Sequence, residues 1–518
     1  MSEKANNLDE TDAEVSTERV TNSGLGRYFD NTGHTIFDEL VSPNKSNAFA
    51  TVANPVFEIP TTSPSSFFDN DTLVNAEQFS EQPATIDFHR DAWIPSEHTR
   101  KVLRTIATST PGGNALDREI LTMPGLAIQD DMIDPIKEAT FQFLGEDESS
   151  SRNVLTASDV TQDERGLRNL IHAGCYRGAV NLSGRLLAIY GQGFGKINHP
   201  SKHTPHSLQL WFTRLSLLTK LKQTELLENE SKPFGNLDKP DMYFIFYPEL
   251  YGTRPGSMAS FSFRLLLAEI PSYYGKGKQA MDNLHKVLAT VSRIIKNLES
   301  GQGEDGSQLK FDSGEEEDSL KLWNGRKCRT LISIVNCALG MKNYVLASEV
   351  LENLYSSIEW KREEAETLSS AIGRVHLALG DASAAEKKFS ITRENPPNSK
   401  VVRELVDRGL MAVAQNAFQE ALNCFQSASA LDPSNVMLVN NIAVCLLYTG
   451  KLEAAVLLME SAMTRNPVKS LQESVILNLC TLYELHTTHS KQSKLHLLRQ
   501  LNRYKGDSLD IGCLKLGI

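Results

Sequence analysis

Two stretches of equal length decide the fold: GLMAVAQNAFQEALNCFQSASALDP at residues 409–433 and AVCLLYTGKLEAAVLLMESAMTRNP at residues 443–467. In the first, Ala421, Phe425, Ala428 and Pro433 stand at positions 20, 24, 27 and 32 of a unit that opens near residue 402. Adding 34 to each number gives Ala455, Met459, Ala462 and Pro467, and the small residue of the register repeats as Gly409 and Ala443. Gly450 stands where the two helices of the second unit turn. Each residue type has a physical task. The small residues let two helices approach closely, Phe425 and Met459 are expected to fill the gap between successive hairpins, and the prolines stop the second helix where no amide bond is lost.

A 34-residue period with this spacing is that of a tetratricopeptide unit, a helical hairpin that cannot bury its own apolar face and therefore stacks. The register extends upstream with slack. Gly373, Gly380, Ala385 and Phe389 fit one further unit, Tyr344, Ala347, Leu351 and Leu354 another, and Ala268, Gly275, Ala280, Leu284 and Val287 a third. Downstream, NLCTLYELHTTHSKQSKLHLLRQL (478–501) reads as a last hairpin, its first helix ending near Leu485 and its second running from about Lys491 to Leu501.

The organisation expected along the chain follows. Residues 1–90 form a disordered acidic tail; 91–165 is irregular, with short helices and loops, the first entered through Pro95 with Ser96 at its cap; 166–299 holds degenerate helical hairpins; 300–319 is an acidic loop; 320–505 carries the tetratricopeptide-like repeats; and 506–518 caps the end. The fold class is all-α, a tetratricopeptide-like helical-repeat solenoid presenting a rod-like docking surface.

Composition narrows the function. The 518 residues carry a net charge of -11, of which residues 1–90, with 15 Asp and Glu against 5 Lys and Arg, supply nearly all. No broad basic surface for nucleic acid is expected, and no stretch of 18 apolar residues offers a membrane span. The amino terminus has neither the basic flank nor the apolar core of a secretory signal. The seven cysteines are scattered with no C-x-x-C pair, which reads as free thiols in a reducing compartment. Inside the tail, Tyr28-Phe29, Phe37, Phe57 and Phe67-Phe68 form aromatic islands that read either as short docking motifs or as chance.

Tests for chemistry return nothing. GQGFGK (191–196) lacks the glycine a phosphate loop needs five positions before the glycine of its Gly-Lys pair, Tyr190 standing there instead. His199, His203 and His206 cluster in a loop without the cysteine or carboxylate that zinc favours, and no nucleophile elbow or H-E-x-x-H pair occurs. No cofactor or metal is expected, and the residues read as a non-catalytic interaction scaffold. The segment NLDKPDMYFIFYPELYGTRPG (236–256) breaks the helical rhythm, and its aromatics either plug a core gap or face a partner; Phe234, Asp238 and Tyr243 are the candidate contact residues.

The strings SKHTPHSLQLWFTRLSLLTKL (201–221), PFGNLDKPDMYFIFYPELYGTRPGSMASFSFRLLLAEIP (233–271) and GDSLDIGCLKL (506–516) are not repeat consensus. Through them the chain, from about residue 170 to its end, resembles the family of subunit 12 of the trafficking protein particle (TRAPP) complex, also called tetratricopeptide repeat protein 15. The resemblance implies an accessory subunit of the TRAPP III assembly, partnered by other TRAPP subunits, especially the large accessory ones. That assembly is a guanine nucleotide exchange factor for a Rab GTPase, so the link to the GTPase is indirect. ER-to-Golgi transport and autophagy are the implied processes. The implied location is the cytoplasm, the ER-Golgi intermediate compartment and the early Golgi, with peripheral membrane association through the complex; a nuclear or mitotic pool is attributed to vertebrate relatives. Vertebrate members carry a longer amino-terminal region, and functions lodged there do not transfer. The residues themselves leave open a free tetratricopeptide adaptor or chaperone cofactor and, more remotely, an enzyme.

Overall fold

One backbone device reverses the chain at nearly every helix pair. At Gly450 the backbone enters the left-handed region (φ 78°), its N–H donates to Leu447 O at 3.0 Å, and the Lys451 N–H donates to Leu446 O at 2.9 Å. The last carbonyls of the first helix are thereby satisfied while the chain turns back. The same pair of bonds recurs at Gly174, Lys222, Gly275, Lys342, Gly380 and Asn416.

The structure, a computed structural model, describes residues 92–108, 120–252, 254–308, 313–357, 360–390 and 400–517; the expected acidic tail and its aromatic islands lie outside the described residues. The described chain opens with α1 (Glu97–Thr108), α2 (Pro135–Leu144) and the short α3 (Glu146–Ser150). Ser96 caps α1 as the sequence suggests, its Oγ accepting from the Thr99 N–H at 3.3 Å.

Eight helix pairs follow. They are α4 (Glu164–His172) with α5 (Tyr176–Ile189), α6 (Pro205–Lys220) with α7 (Thr224–Ser231), and, after an insertion containing α8 (Pro248–Tyr251), α9 (Phe261–Tyr273) with α10 (Gly277–Glu299). Next come α11 (Ser313–Gly340) with α12 (Tyr344–Ser357), α13 (Arg362–Leu379) with α14 (Ala382–Ser390), and α15 (Lys400–Ala414) with α16 (Phe418–Leu431). The last two are α17 (Val436–Tyr448) with α18 (Leu452–Arg465) and, beyond the single turn α19 (Pro467–Ser470), α20 (Glu473–His486) with α21 (Ser490–Tyr504). No strand occurs among the described residues, only the isolated bridges Leu126–Phe194 and Tyr243–Ser257. The chain is an all-α solenoid of tetratricopeptide-like hairpins. Helix α11 begins at Ser313, inside the stretch read as an acidic loop; Glu316, Glu317 and Asp318 near its start are favourable at the positive end of the helix dipole.

The repeat positions show how two helices are brought together. Ala421, Ala428 and Ala455 have no exposed surface, Ala443, Phe425 and Met459 almost none, and Ala462 is half-buried. Phe425 lies against Gly409 of its own pair, where an added Cβ would stand 2.6 Å from the ring, and Phe389 lies against Gly373, where the distance would be 2.4 Å. Phe425 thus packs inside its own hairpin, because positions 8 and 24 face each other across the two helices. Pro433 is exposed just beyond α16, whereas Pro467 opens α19, with Asn466 as its cap.

The series of hairpins does not run out as a rod. It curves until its last member meets its first. Helix α2 lays Ile136 and Ala139 into the apolar cluster of the carboxy-terminal pairs. Arg152 is the clasp: its Nε pairs with Asp134 at 2.5 Å, and its two other nitrogens donate to the carbonyls of Asn502 and Gly506 at 3.0 and 3.1 Å. Asp507 caps α5 from the far end of the chain, accepting from the amides of Arg177 at 3.0 Å and Gly178 at 2.8 Å. Lys222 of the second pair meets Glu473 of the last at 2.7 Å. The expected rod is therefore a closed series, its ends covering one another.

The close contact in the hairpin gives a test. Gly409→Ala should lower unfolding stability by about 1–3 kcal/mol, because the ring of Phe425 must move. Gly325→Ala, an exposed helical position with open space around the new methyl, should be neutral or slightly stabilising. Denaturant melts of both variants decide the matter; an equal gain in the two would mean that helix propensity and not packing governs position 409.

Candidate interaction surfaces

The insertion between the second and third pairs holds the three candidate contact residues, and the structure places two of them inside. Phe234 is 0% exposed and Tyr243 2%. The Phe234 ring sits edge-on between Trp211 and Phe263, with centroids 5.3 Å from each. Aromatic edges and faces in that arrangement add to the burial of their area. Asp238 is half-buried and occupied: it accepts from the Ser96 N–H at 3.0 Å, the Thr99 Oγ at 3.3 Å and the Tyr243 hydroxyl at 3.2 Å. These side chains fasten α1 to the insertion, so the exposure on which a partner role for Phe234 and Tyr243 rested is absent. Burial pushes the Tyr243 hydroxyl far above the ordinary tyrosine range. Of the two roles open to the insertion's aromatics, the core role is the one observed for Phe234, Tyr243, Phe244 and Phe246.

The histidine cluster is divided among separate tasks. His203 is fully buried; its Nε2 donates to Thr122 O at 2.8 Å and its Nδ1 faces the Gln192 amide at 3.4 Å. Gln192 in turn accepts from Trp211 Nε1 at 2.7 Å. Burial holds the imidazole towards its neutral form and pushes the neighbouring Asp241 carboxyl upwards. His206 pairs with Glu164 and with the Tyr190 hydroxyl, and His199 is exposed. Among the described residues no three His, Cys, Asp or Glu side chains meet in a way that could hold a metal. Burial raises the Cys175 and Cys513 thiols to about 12 and Cys480 to about 11, so each is protonated at neutral pH.

Buried ion pairs tie neighbouring hairpins. Arg214 of α6 grips Glu230 of α7 with two bonds of 2.6 and 2.9 Å and reaches Val180 O of α5 at 2.8 Å. Asp407 of α15 accepts from Ser370 Oγ at 2.6 Å and Arg374 Nε at 3.0 Å, both on α13. Between α9 and α11, Glu269 is buried, and burial raises its carboxyl to about 7. Asn440 and Asn441 of α17 have local partners: Asn478 Nδ2 donates to Asn440 Oδ1 at 2.8 Å, and Asn441 lies against Met437.

Sequence reasoning did not single out three large apolar side chains that stand exposed. Ile189, at the end of α5, is 77% exposed, Phe194 in the following turn 52%, and Leu250 of α8 54%. The two turns are joined through His203, whose Nδ1 faces Gln192 and whose backbone N–H donates to the Tyr247 hydroxyl at 3.2 Å. The only signal in the sequence was the glycine-rich turn itself, which places Phe194 between Gly193 and Gly195. No helix among the described residues is long and apolar enough to cross a membrane.

Fold and site together define an all-α solenoid of tetratricopeptide-like hairpins. No protein-family model matches the chain. Over 451 residues, 86% of its length, it is 41% identical to trafficking protein particle complex subunit 12 of Mus musculus and of Homo sapiens. The chain belongs to the family of trafficking protein particle complex subunit 12. The match spans 56% of the mouse protein and 60% of the human one. Among solved structures, the APC/C hetero-tetramer Cut9–Hcn1 is similar at 11% identity over 60% of this chain and 54% of that one, with a TM-score of 0.23, too loose a likeness to build on.

The buried carboxyl of Glu269 predicts a pH dependence. Its folded value of about 7 lies above the ordinary 4.5. The folded state therefore keeps a proton that the unfolded chain releases, and stability from this group is full below pH 4.5 and is lost as pH rises towards 7. Glu269→Gln should flatten the loss of stability across that window and raise stability at pH 8 by about 1–3 kcal/mol. Parallel pH melts of the two proteins would show it; identical slopes would rule it out.

Proposed function

We propose that this chain is a non-catalytic accessory subunit of a TRAPP assembly, its closed series of hairpins serving to hold other subunits in place. The observation that carries the reading is the 41% identity to TRAPP subunit 12 across 86% of the chain. In finer detail, the assembly is TRAPP III, and the chain supports Rab guanine nucleotide exchange indirectly, in ER-to-Golgi transport and autophagy. It works from the cytoplasm at the intermediate compartment and early Golgi, and meets membrane only through its partners. The domain limits from residue 166 onward are proposed as read from the sequence, except that the acidic loop gives way to α11 from Ser313.

Ile189, Phe194 and Leu250 are the proposed contact residues for a neighbouring subunit, since large exposed apolar side chains gain from burial on assembly. Affinity purification of the tagged chain followed by mass spectrometry tests the assignment: TRAPP subunits should be recovered. Ile189→Asp with Leu250→Asp should cut their recovery by about fivefold or more while the chain stays folded. Recovery of chaperones without TRAPP subunits would favour a free adaptor. Unchanged recovery by the double variant would move the contact to another face.

A further inference from the structure

The seam between the third and fourth pairs, where α9 meets α11, is built unlike its neighbours. Arg214 ties α6 to α5 and α7 through paired atoms, and Asp407 ties α15 to α13 in the same way. At the α9–α11 seam, Glu269 Oε1 on α9 and Ser319 Oγ, Trp323 Nε1 and Ser333 Oγ on α11 make no hydrogen bond. The three residues of α11 are buried to within 1% and Glu269 is 7% exposed. Ser333 lies beside the Glu269 carboxyl without reaching the geometry of a bond. Among the described residues, no buried side-chain nitrogen or oxygen outside residues 264–333 is left in this state.

What holds this seam shut is mainly apolar. Leu265 and Ala268 of α9 share one cluster with Trp323, Ile334 and Cys337 of α11. Phe261 meets Trp323 edge-on with centroids 6.3 Å apart, and the Arg326 guanidinium lies over the two rings at 5.1 and 4.6 Å. Arg329 donates to Ser262 Oγ at 3.2 Å. Parting the helices exposes that apolar area, but it also gives Glu269, Ser319, Trp323 and Ser333 hydrogen bonds to water that the shut seam denies them. The second effect offsets part of the first, and it has no counterpart where the buried polar atoms are already paired.

We propose that the α9–α11 seam is the gate of the closed series, the interface at which it opens while the clasp of Arg152 and Asp507 stays shut. Because the clasp ties the ends, the series cannot yield by small rotations everywhere and parts instead at its least satisfied contact. Glu269 links the gate to protons. The charged or titratable groups that act on its carboxyl are Arg329 and, through mutual repulsion, Cys337, both of α11; α6, α7 and α10, which also pack on α9, contribute none. Burial raises the carboxyl to about 7, so the shut seam keeps a proton that the open seam releases. Acid therefore holds the gate shut, and rising pH favours opening until the folded value is passed.

Hydrogen-exchange mass spectrometry on the full chain tests the gate. Protection factors, corrected for the pH dependence of free-amide exchange, should be about tenfold or more lower in α9 and in α11 from Ser319 to Ser333 than in α5, α6 and α15–α21. They should fall by up to about tenfold per pH unit between pH 5 and 7 and level off above. Glu269→Leu with Ser333→Ala, which replaces unpaired polar atoms by apolar groups, should raise protection in α9 and α11 about tenfold and remove its pH dependence, with α15–α21 unchanged. Glu269→Gln, which keeps the size of the side chain, should remove the pH dependence by itself. Equal protection at this seam and at its neighbours would overturn the proposal; an ordered water bridging these atoms would give that result. So would variants that shift α9, α11 and α15–α21 by the same factor, since the seam would then open only in global unfolding. Lowest protection at Arg177 and Gly178 would also overturn it, by moving the opening to the clasp.

Discussion

A helical hairpin has two apolar faces and can bury only the one between its own helices. Everything in this structure follows from where the other face goes. Along the series it goes against the next hairpin, which explains the succession of buried alanines and large apolar residues from Ala268 to Leu501. At the ends of an open solenoid it would face water, and special capping repeats would be required. Here the first and last pairs solve the problem for each other. Helix α2 and the clasp of Arg152 bring the amino-terminal region onto α21, and Asp507 satisfies the first amides of α5. The closing contacts are largely polar where they join backbone to side chain. They fix the angle at which the series shuts as well as the fact that it shuts.

The order of hairpins also needs enforcing, because one apolar surface resembles another. The ion pairs between neighbours supply that selectivity. Arg214 meets all its obligations only if α5, α6 and α7 are together: two bonds to Glu230 and one to Val180 O. Gly184 leaves the room, since an added Cβ would stand 3.2 Å from the guanidinium. Asp407 makes the same demand of α13 and α15. Such buried pairs add little net stability over an apolar replacement, but a wrong neighbour would leave a charge buried and unpaired.

How much of this was legible in the sequence depended on whether a single residue could carry the signal. Gly409, Phe425 and Gly450 do, because close helix approach and a left-handed turn each leave a mark on residue type. Lys222 and Lys342 adopt the same left-handed turn without being glycine, so the pairs they close read as degenerate although their geometry is the same; Asn416 does so within a sharp unit, where Gly409, Ala421 and Phe425 carry the register instead. The aromatics of the insertion showed that something large was filled, but burial against Trp211 and Phe263 depends on helices whose positions the local pattern cannot supply. Closure was illegible for a plainer reason. Arg152 and Gly506, or Gly178 and Asp507, are separated by more than three hundred residues, and a single arginine or aspartate carries no mark of its distant partner.

Closure changes what kind of scaffold the chain can be. An open solenoid bends and twists like a spring, since each repeat contacts only its neighbours and small rotations accumulate along the array. Joining the ends removes that freedom, because a rotation at one interface must be cancelled at the others or break the clasp. Exposed side chains at different points of the series, such as Ile189 near its start and Tyr448 and Leu485 near its end, are thereby held at fixed separations. Two partners bound at such points would be oriented by the scaffold without touching one another. The cost is borne by the few groups that close it: Asp507, whose carboxyl is raised to about 6 by burial, stays in place because two backbone amides of α5 have no other acceptor. The rigidity of the whole series thus rests on the helix end that its last residues cap.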